Sequence, residues 1–221
     1  METETLAERY ERLARETPRR GRDFPLRALD IVVAAFLLVL SLPLLIVLAL
    51  AVAAADGLPV LYRGERVGRG GRIFTMLKLR TLKRGAEERL GPYLGEELVR
   101  RTRDELTPFG RRLRATQLDE LPQLWNVLRG DMSLVGPRPI RPVFFEALAA
   151  ELPAYWQRLV VRPGLTGFAQ VRREYEASMA EKLAHDLEWV ADRSLRLYLR
   201  TLAVTAWRVL RQAGRGLVGR D

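Results

Sequence analysis

Two adjacent carboxylates, Asp119 and Glu120, are the residues of this chain best placed to do chemistry. They open the run Leu118-Asp119-Glu120-Leu121-Pro122-Gln123-Leu124-Trp125-Asn126, which continues to Gly136-Pro137-Arg138-Pro139. Pro122 lacks an N–H and pushes Leu121 away from helical angles, so the spacing predicts a short helix with Pro122 in its first turn. The acid pair then sits just ahead of a helix N-terminus, where free N–H groups and the positive dipole end favour anions. Such a place suits a carboxylate that stays ionised, holds a divalent cation or meets a phosphate. The plainer alternative makes Asp119 a helix cap and Glu120 a solvated first-turn acid. Further on, Pro137 and Pro139 limit the backbone freedom of Arg138 and hold the root of its side chain in place.

Composition narrows the chemistry. The 221 residues are enough for one domain with a real core, and they carry a formal charge of +10. Nearly all of the positive charge is arginine, since only Lys78, Lys83 and Lys182 are lysines. Guanidinium forks grip phosphate by two prongs, so a phosphate-rich substrate or an anionic membrane face fits this balance. There is no cysteine, which excludes disulfides and thiolate metal sites. His185 is the sole histidine, so a multi-histidine metal site is excluded and a Ser-His-Asp hydrolase would have to use it. Catalysis has to rest on carboxylates and arginines, a set compatible with a hard oxygen-loving cation such as Mg2+.

The elements that must position these groups begin with an apolar segment. No charge interrupts residues 31–55, and a helix of that length reaches about 37 Å, enough to span a bilayer. Pro43 stands at its midpoint, where it deprives the Val39 carbonyl of its usual partner and predicts a kink or break. Ser41 has a hydroxyl nearby to satisfy part of the disturbed backbone. Arginines flank both sides (Arg19, Arg20, Arg22 and Arg27 before; Arg63, Arg66, Arg69 and Arg72 after). The tendency of basic flanks to stay cytoplasmic favours a re-entrant hairpin over a straight span, with a buried soluble helix third. Beyond it, 59–62 and 72–79 read as a hairpin, and helices are expected within 83–103, at 141–151, 153–160 and 179–189. A helix over 195–211 would gather Leu195, Tyr198, Leu199, Leu202, Ala206, Val209 and Leu210 on one face. Arg196, Arg200, Arg208 and Arg211 lie on another, a pattern that suits either a membrane interface or docking on the core. Residues 1–22 read as a short amphipathic helix near the membrane, or as a mobile tail, with a basic break.

The run through Pro139 closely resembles the signature of the bacterial sugar transferases, the monotopic phosphoglycosyl transferases that act on polyprenol phosphate. Phe74-Thr75-Met76-Leu77-Lys78-Leu79-Arg80-Thr81 is similar to that family's segment before the catalytic region. Val161-Arg162-Pro163-Gly164-Leu165-Thr166-Gly167 is similar to its Pro-Gly-x-Thr-Gly block. The resemblance implies transfer of a phosphosugar from a nucleotide diphosphosugar, usually a UDP-sugar, to polyprenol (undecaprenyl) phosphate, with release of UMP. It makes Asp119 the nucleophile of an aspartyl-phosphosugar intermediate. Glu120 would help hold Mg2+, which offsets diphosphate charge. Arg114, Arg80, Arg138, Arg162 and Lys78 become the phosphate-binding set, Arg162 and Lys78 in supporting roles. His185-Asp186 resembles an aromatic-acid pair of the family, here read as structural, and Asp131 reads as a turn acid. Two departures stand out: Leu42 separates Ser41 from Pro43, and Arg172-Arg173-Glu174 replaces the family's usual turn. The sugar, the glycan pathway and any homodimer therefore stay open.

The expected fold is a mostly helical α+β monotopic membrane protein. Its parts are an N-terminal basic segment at 1–23, a re-entrant helix broken at Pro43 over 24–56, a catalytic domain over 57–195 and a basic amphipathic tail over 196–221. The expected location is the bacterial inner membrane, with the catalytic globule on the cytoplasmic face against anionic lipids. The competing classes are a sugar-only glycosyl transferase and a non-enzymatic basic membrane scaffold. The charge also fits nucleic acid, but no motif supports that partner.

Overall fold

The computed structural model describes residues 23–91, 93, 95–172 and 178–217. The basic segment 1–22 and the Arg173-Glu174 departure lie outside them. The first element, α1 (Asp23–Asp56), contains the apolar segment and is long and apolar enough to cross a membrane. It stays helical through Pro43, so the break expected there is absent. A proline removes one hydrogen bond from a helix, and continuous helical geometry on either side tolerates that loss. The Ser41 hydroxyl donates to the Leu38 carbonyl at 3.3 Å rather than relieving that of Val39. Much of α1 is bare: Phe36, Val39, Leu40, Val47 and Leu50 are each more than half exposed.

Both ends of α1 are fastened to the same body. Near its start, Arg27 donates to the Val127 and Leu128 carbonyls at 2.8 and 3.1 Å. Asp30, itself buried, accepts from Ser133 Oγ (2.9 Å), the Leu134 N–H (2.8 Å) and the Tyr198 hydroxyl (2.6 Å). Near its end, Val52 is fully buried against Leu79 and Leu113, and Asp56 Oδ2 accepts from Thr107 Oγ1 at 2.8 Å. A carboxylate held by three donors is a specific anchor, because an unpaired buried charge would be costly.

The hairpin expected from alternation is present, as β1 (Leu61–Val67) against antiparallel β2 (Ile73–Leu79), with Tyr62 opposite Lys78. Short helices α2 (Ala86–Leu90) and α3 (Gly95–Asp104) follow. Helix α4 (Pro108–Thr116) is capped by Thr107, whose Oγ1 accepts from the Gly110 N–H at 2.9 Å. After α5 (Gln123–Arg129), β3 (Ser133–Val135) pairs in parallel with β4 (Gly164–Thr166), Ser133 opposite Gly164 and Val135 opposite Thr166. This ladder joins the two sequence blocks that are about thirty residues apart. Between them lie α6 (Pro142–Glu151) and a segment at Pro153–Val160 that is 3-10 rather than α. The chain ends with α7 (Phe168–Arg172), α8 (Met179–Asp192) and α9 (Leu195–Leu217).

The main core joins Leu26 and Ala34 of α1 to Leu124, Val127, Met132, Leu134, Val135, Trp189 and Tyr198. A mostly helical molecule with two small sheets results. The docking face of α9 differs from the expected one. Tyr198 and Thr201 are buried, whereas Leu195, Leu199 and Trp207 are about half exposed or more, beside exposed Arg196 and Arg200. Thr201 and Thr205 turn their hydroxyls onto the Leu197 and Thr201 carbonyls, which lets polar residues line the inward stripe.

Candidate active site

Asp119 and Glu120 sit on a 3-10 turn, Leu118–Glu120, between α4 and α5. The turn is entered through Gln117, whose φ of 59° lies in the left-handed region and reverses the chain. Pro122 then precedes α5 and makes no side-chain cap. The acids are therefore not doing what the plainer sequence reading proposed. Asp119 is 4% exposed and caps no helix, and Glu120 is partly buried against a lysine.

That lysine is Lys78. It stands near the end of β2, and its Nζ donates to Glu120 Oε1 at 2.5 Å. Asn126 supplies the geometry. This fully buried side chain accepts the Leu77 N–H at 2.9 Å and donates to the Thr75 carbonyl at 2.8 Å, locking α5 edge-on to β2. Lys78 on the strand thus faces Glu120 before the helix.

The electrostatics separate the two acids. Burial pushes the Asp119 carboxyl up to about 6, with Glu120 adding to the rise and Lys78 and Arg114 opposing it. Burial also acts on Glu120, but the charges of Lys78, Arg138 and Arg114 outweigh it and hold that carboxyl below its ordinary value. Burial lowers Lys78, a shift that Glu120 and Asp119 oppose. One acid is ionised well into the acidic range, and the other changes state close to neutrality. Arg114, in the last turn of α4, and Arg138, in the Pro-Arg-Pro turn, both act on Glu120 while their side chains remain exposed. They are two guanidinium groups at the mouth of a carboxylate pair, the arrangement a diphosphate needs.

A family model described as bacterial sugar transferase matches residues 22–212 of this sequence. The chain belongs to that family. A UDP-glucose:undecaprenyl-phosphate glucose-1-phosphate transferase of Caulobacter vibrioides is 43% identical over 194 residues, covering 84% of this chain and 71% of that protein. A UDP-N-acetylgalactosamine-undecaprenyl-phosphate N-acetylgalactosaminephosphotransferase of Aeromonas hydrophila is 36% identical over 76% of this chain and 39% of its own length. An undecaprenyl-phosphate galactose phosphotransferase of Salmonella typhimurium is 36% identical over 83% of this chain and 40% of its own. The chain thus spans about two fifths of the last two. It is an enzyme of the polyprenol-phosphate phosphoglycosyl transferase type.

Within this sugar transferase, the structure brings Asp119, Glu120, Lys78, Arg114 and Arg138 together. Arg80 does not. It is buried, and its guanidinium donates to the Asp56 carbonyl at 2.7 Å and to that of Gly57, closing the C-terminal end of α1. Arg162 likewise turns its Nε to the Gly130 carbonyl at 2.9 Å, behind α5. Both are drawn off by bare carbonyls at helix ends, which a one-dimensional motif does not display. Asp131 has the structural role expected of it, lying 3.5 Å from Arg129 and 3.3 Å from Asn126 Nδ2. The groups the sequence reading passed over are Asn126 and Arg158. An asparagine inside an apolar helical face was the available signal for the first, since a buried amide there needs partners across an interface.

Proposed function

We propose that this sugar transferase moves a phosphosugar from a UDP-sugar to polyprenol phosphate through a covalent intermediate on Asp119. The observation that carries the reading is the buried Asp119 beside an ionised, lysine-paired Glu120, with the exposed Arg114 and Arg138 at its mouth. In the first displacement an Asp119 oxygen bonds to the sugar-bearing phosphorus, and the bond from that phosphorus to the bridging oxygen breaks. UMP leaves with the electron pair. In the second, a phosphate oxygen of the lipid attacks the same phosphorus and the Asp119–phosphorus bond breaks. The carboxylate is regenerated and polyprenyl diphosphosugar forms. A carboxylate nucleophile replaces one hard displacement by two easier ones. Arg114 and Arg138 supply fixed positive charge to the phosphate oxygens, where it counts most in the transition state.

Mg2+ fits the donor set. Magnesium is commonly held by one or two carboxylates plus substrate phosphates, and Asp119 with Glu120 offers two hard oxygen donors. No group of three or more acidic or histidine ligands occurs among the described residues, so the substrate phosphates would complete the shell. The ion would supply charge neutralisation on the diphosphate.

The membrane part of the reading follows from α1. Its two ends clamp one globule through Asp30 and Asp56, while its middle is apolar and exposed. A single body lies on one side of a bilayer, so the helix enters and leaves by the same face. With the basic flanks this supports a re-entrant, monotopic arrangement on the cytoplasmic face of the inner membrane.

The test is nucleotide release by detergent-purified protein given magnesium, polyprenol phosphate and a panel of UDP-sugars. Lipid-dependent UMP is expected, and the sugar that gives it identifies the donor. Release of UDP would overturn phosphosugar transfer and with it the need for a covalent Asp119.

A further inference from the structure

The turn that carries Arg138 has an unusual shortage of donors. Pro137 and Pro139 have no N–H, so this stretch of backbone must be held largely by its carbonyls. Two of its ties are backbone ones: the Gly136 N–H donates to Thr166 O at 2.9 Å, and the Pro137 carbonyl accepts from Gly164 N at 2.9 Å. The Arg138 carbonyl is held differently. It accepts at 2.9 Å from Nη2 of Arg158, a guanidinium only 5% exposed. The same nitrogen donates to Asp186 Oδ2 at 2.7 Å, and Arg158 Nη1 donates to the Tyr155 hydroxyl. Asp186 comes from α8 and is itself buried.

Three elements therefore converge behind one residue of the site. A buried ion pair of this kind is weak ground for a stability role, because well-packed apolar groups of the same volume do as well or better. Arg158 also buries its Nε without a partner, a further cost. What the pair does that an apolar replacement cannot is present a fixed donor to a carbonyl whose neighbours are both prolines.

We propose that Arg158 and Asp186 are positioning residues for Arg138: Asp186 orients the Arg158 guanidinium, which fixes the Arg138 carbonyl and so aims its side chain at the substrate phosphate. This gives the His185-Asp186 pair a part in the reaction, carried by the aspartate alone. His185 turns to Glu188, 3.3 Å away, and packs near Phe168. The proposal rests on the reading of Arg138 as a phosphate-binding group.

The experiment is a kinetic cycle on the full chain in detergent, following UMP release for Asp186→Asn, Arg158→Lys, Arg138→Ala and each double variant. Small misplacements of a positioned group cost up to about 100-fold in rate. Asp186→Asn and Arg158→Lys should each lower kcat about 10- to 100-fold and change the donor KM far less. In the Arg138→Ala background the same substitutions should change kcat by less than about threefold, because the group they aim is gone. Equal factors in both backgrounds would overturn the proposal while leaving the site reading intact. If neither Asp186→Asn nor Arg158→Lys folds, the pair holds the fold rather than the turn, and the proposal fails. Wild-type turnover in Arg138→Ala would sink the site reading itself and this inference with it.

Discussion

In the reaction proposed above, Asp119 pairs a nucleophile's requirement with an environment that resists it. Its carboxyl must be ionised to attack phosphorus, yet burial lifts it to about 6. In the free enzyme kcat/KM should therefore fall about tenfold per pH unit below about pH 6. A pH profile flat down to pH 5 would contradict the assignment. The same shift has a consequence for stability. The unfolded chain releases this proton near 3.8 and the folded chain only near 6. Between those values the unfolded state binds fewer protons, so stability falls as pH rises and stays reduced above the upper one. Asp119→Asn removes that cost. It should abolish turnover yet stabilise the magnesium-free protein at pH 7.5 by on the order of 3 kcal/mol, from about 1.4 kcal/mol per pH unit over the interval from 3.8 to about 6. The gain should vanish below about pH 3, where neither state carries the charge. Melting curves of both proteins at the two pH values test it, and a variant less stable at pH 7.5 would refute the account.

One amide does most to bring the elements of the site together. Asn126 ties α5 to β2 through the Leu77 N–H and the Thr75 carbonyl, and that contact sets Lys78 opposite Glu120. Asn126→Ala strands both backbone groups in the interior, at about 1–3 kcal/mol each. A loss of roughly 2–4 kcal/mol in unfolding free energy is expected, together with reduced turnover as Lys78 drifts from Glu120. Denaturant unfolding and UMP release measure the two effects, and a change below about 1 kcal/mol would show that the strand is held otherwise. This joint explains what was legible in the sequence. Asp119, Glu120, Arg114 and Arg138 belong to the neighbourhood of one continuous run, so their proximity follows from local geometry. The hairpin was readable from alternation for the same reason. The parallel pairing of Ser133–Val135 with Gly164–Thr166 was not, since it is a long-range contact. Its tightness shows in the glycines: a Cβ on Gly164 would lie 2.1 Å from the Gly136 nitrogen. Arg80 and Arg162 were expected at the phosphates, and the structure turns them to the carbonyls of Asp56, Gly57 and Gly130, contacts that a motif recording only the presence of an arginine does not show.

Across the whole molecule, the apolar helix and the globule constrain one another. A straight span would place Asp23 and Asp56 on opposite faces of a bilayer. Yet Asp23 takes a two-pronged contact from Arg193 at 2.7 and 3.1 Å, and Asp56 holds Thr107 at 2.8 Å, both within one body. Breaking either clamp to reach across a membrane would leave buried partners unpaired, Arg193 among them at 3% exposure, at several kcal/mol. The two clamps therefore support the re-entrant arrangement proposed for this helix over a straight span. Helical continuity through Pro43 does not oppose this, because the missing hydrogen bond is where a helix bends most readily under load. The chain contains no cysteine, so single reporters can be placed without background. Phe24, in the first turn of the helix, and Leu58, just past its end, are 81% and 65% exposed, which makes Phe24→Cys and Leu58→Cys suitable. A membrane-impermeant thiol reagent should label both in inside-out vesicles and neither in right-side-out ones. Labelling of the two positions from opposite sides would establish a straight span, and the clamps at Asp23 and Asp56 could then not both exist in the membrane.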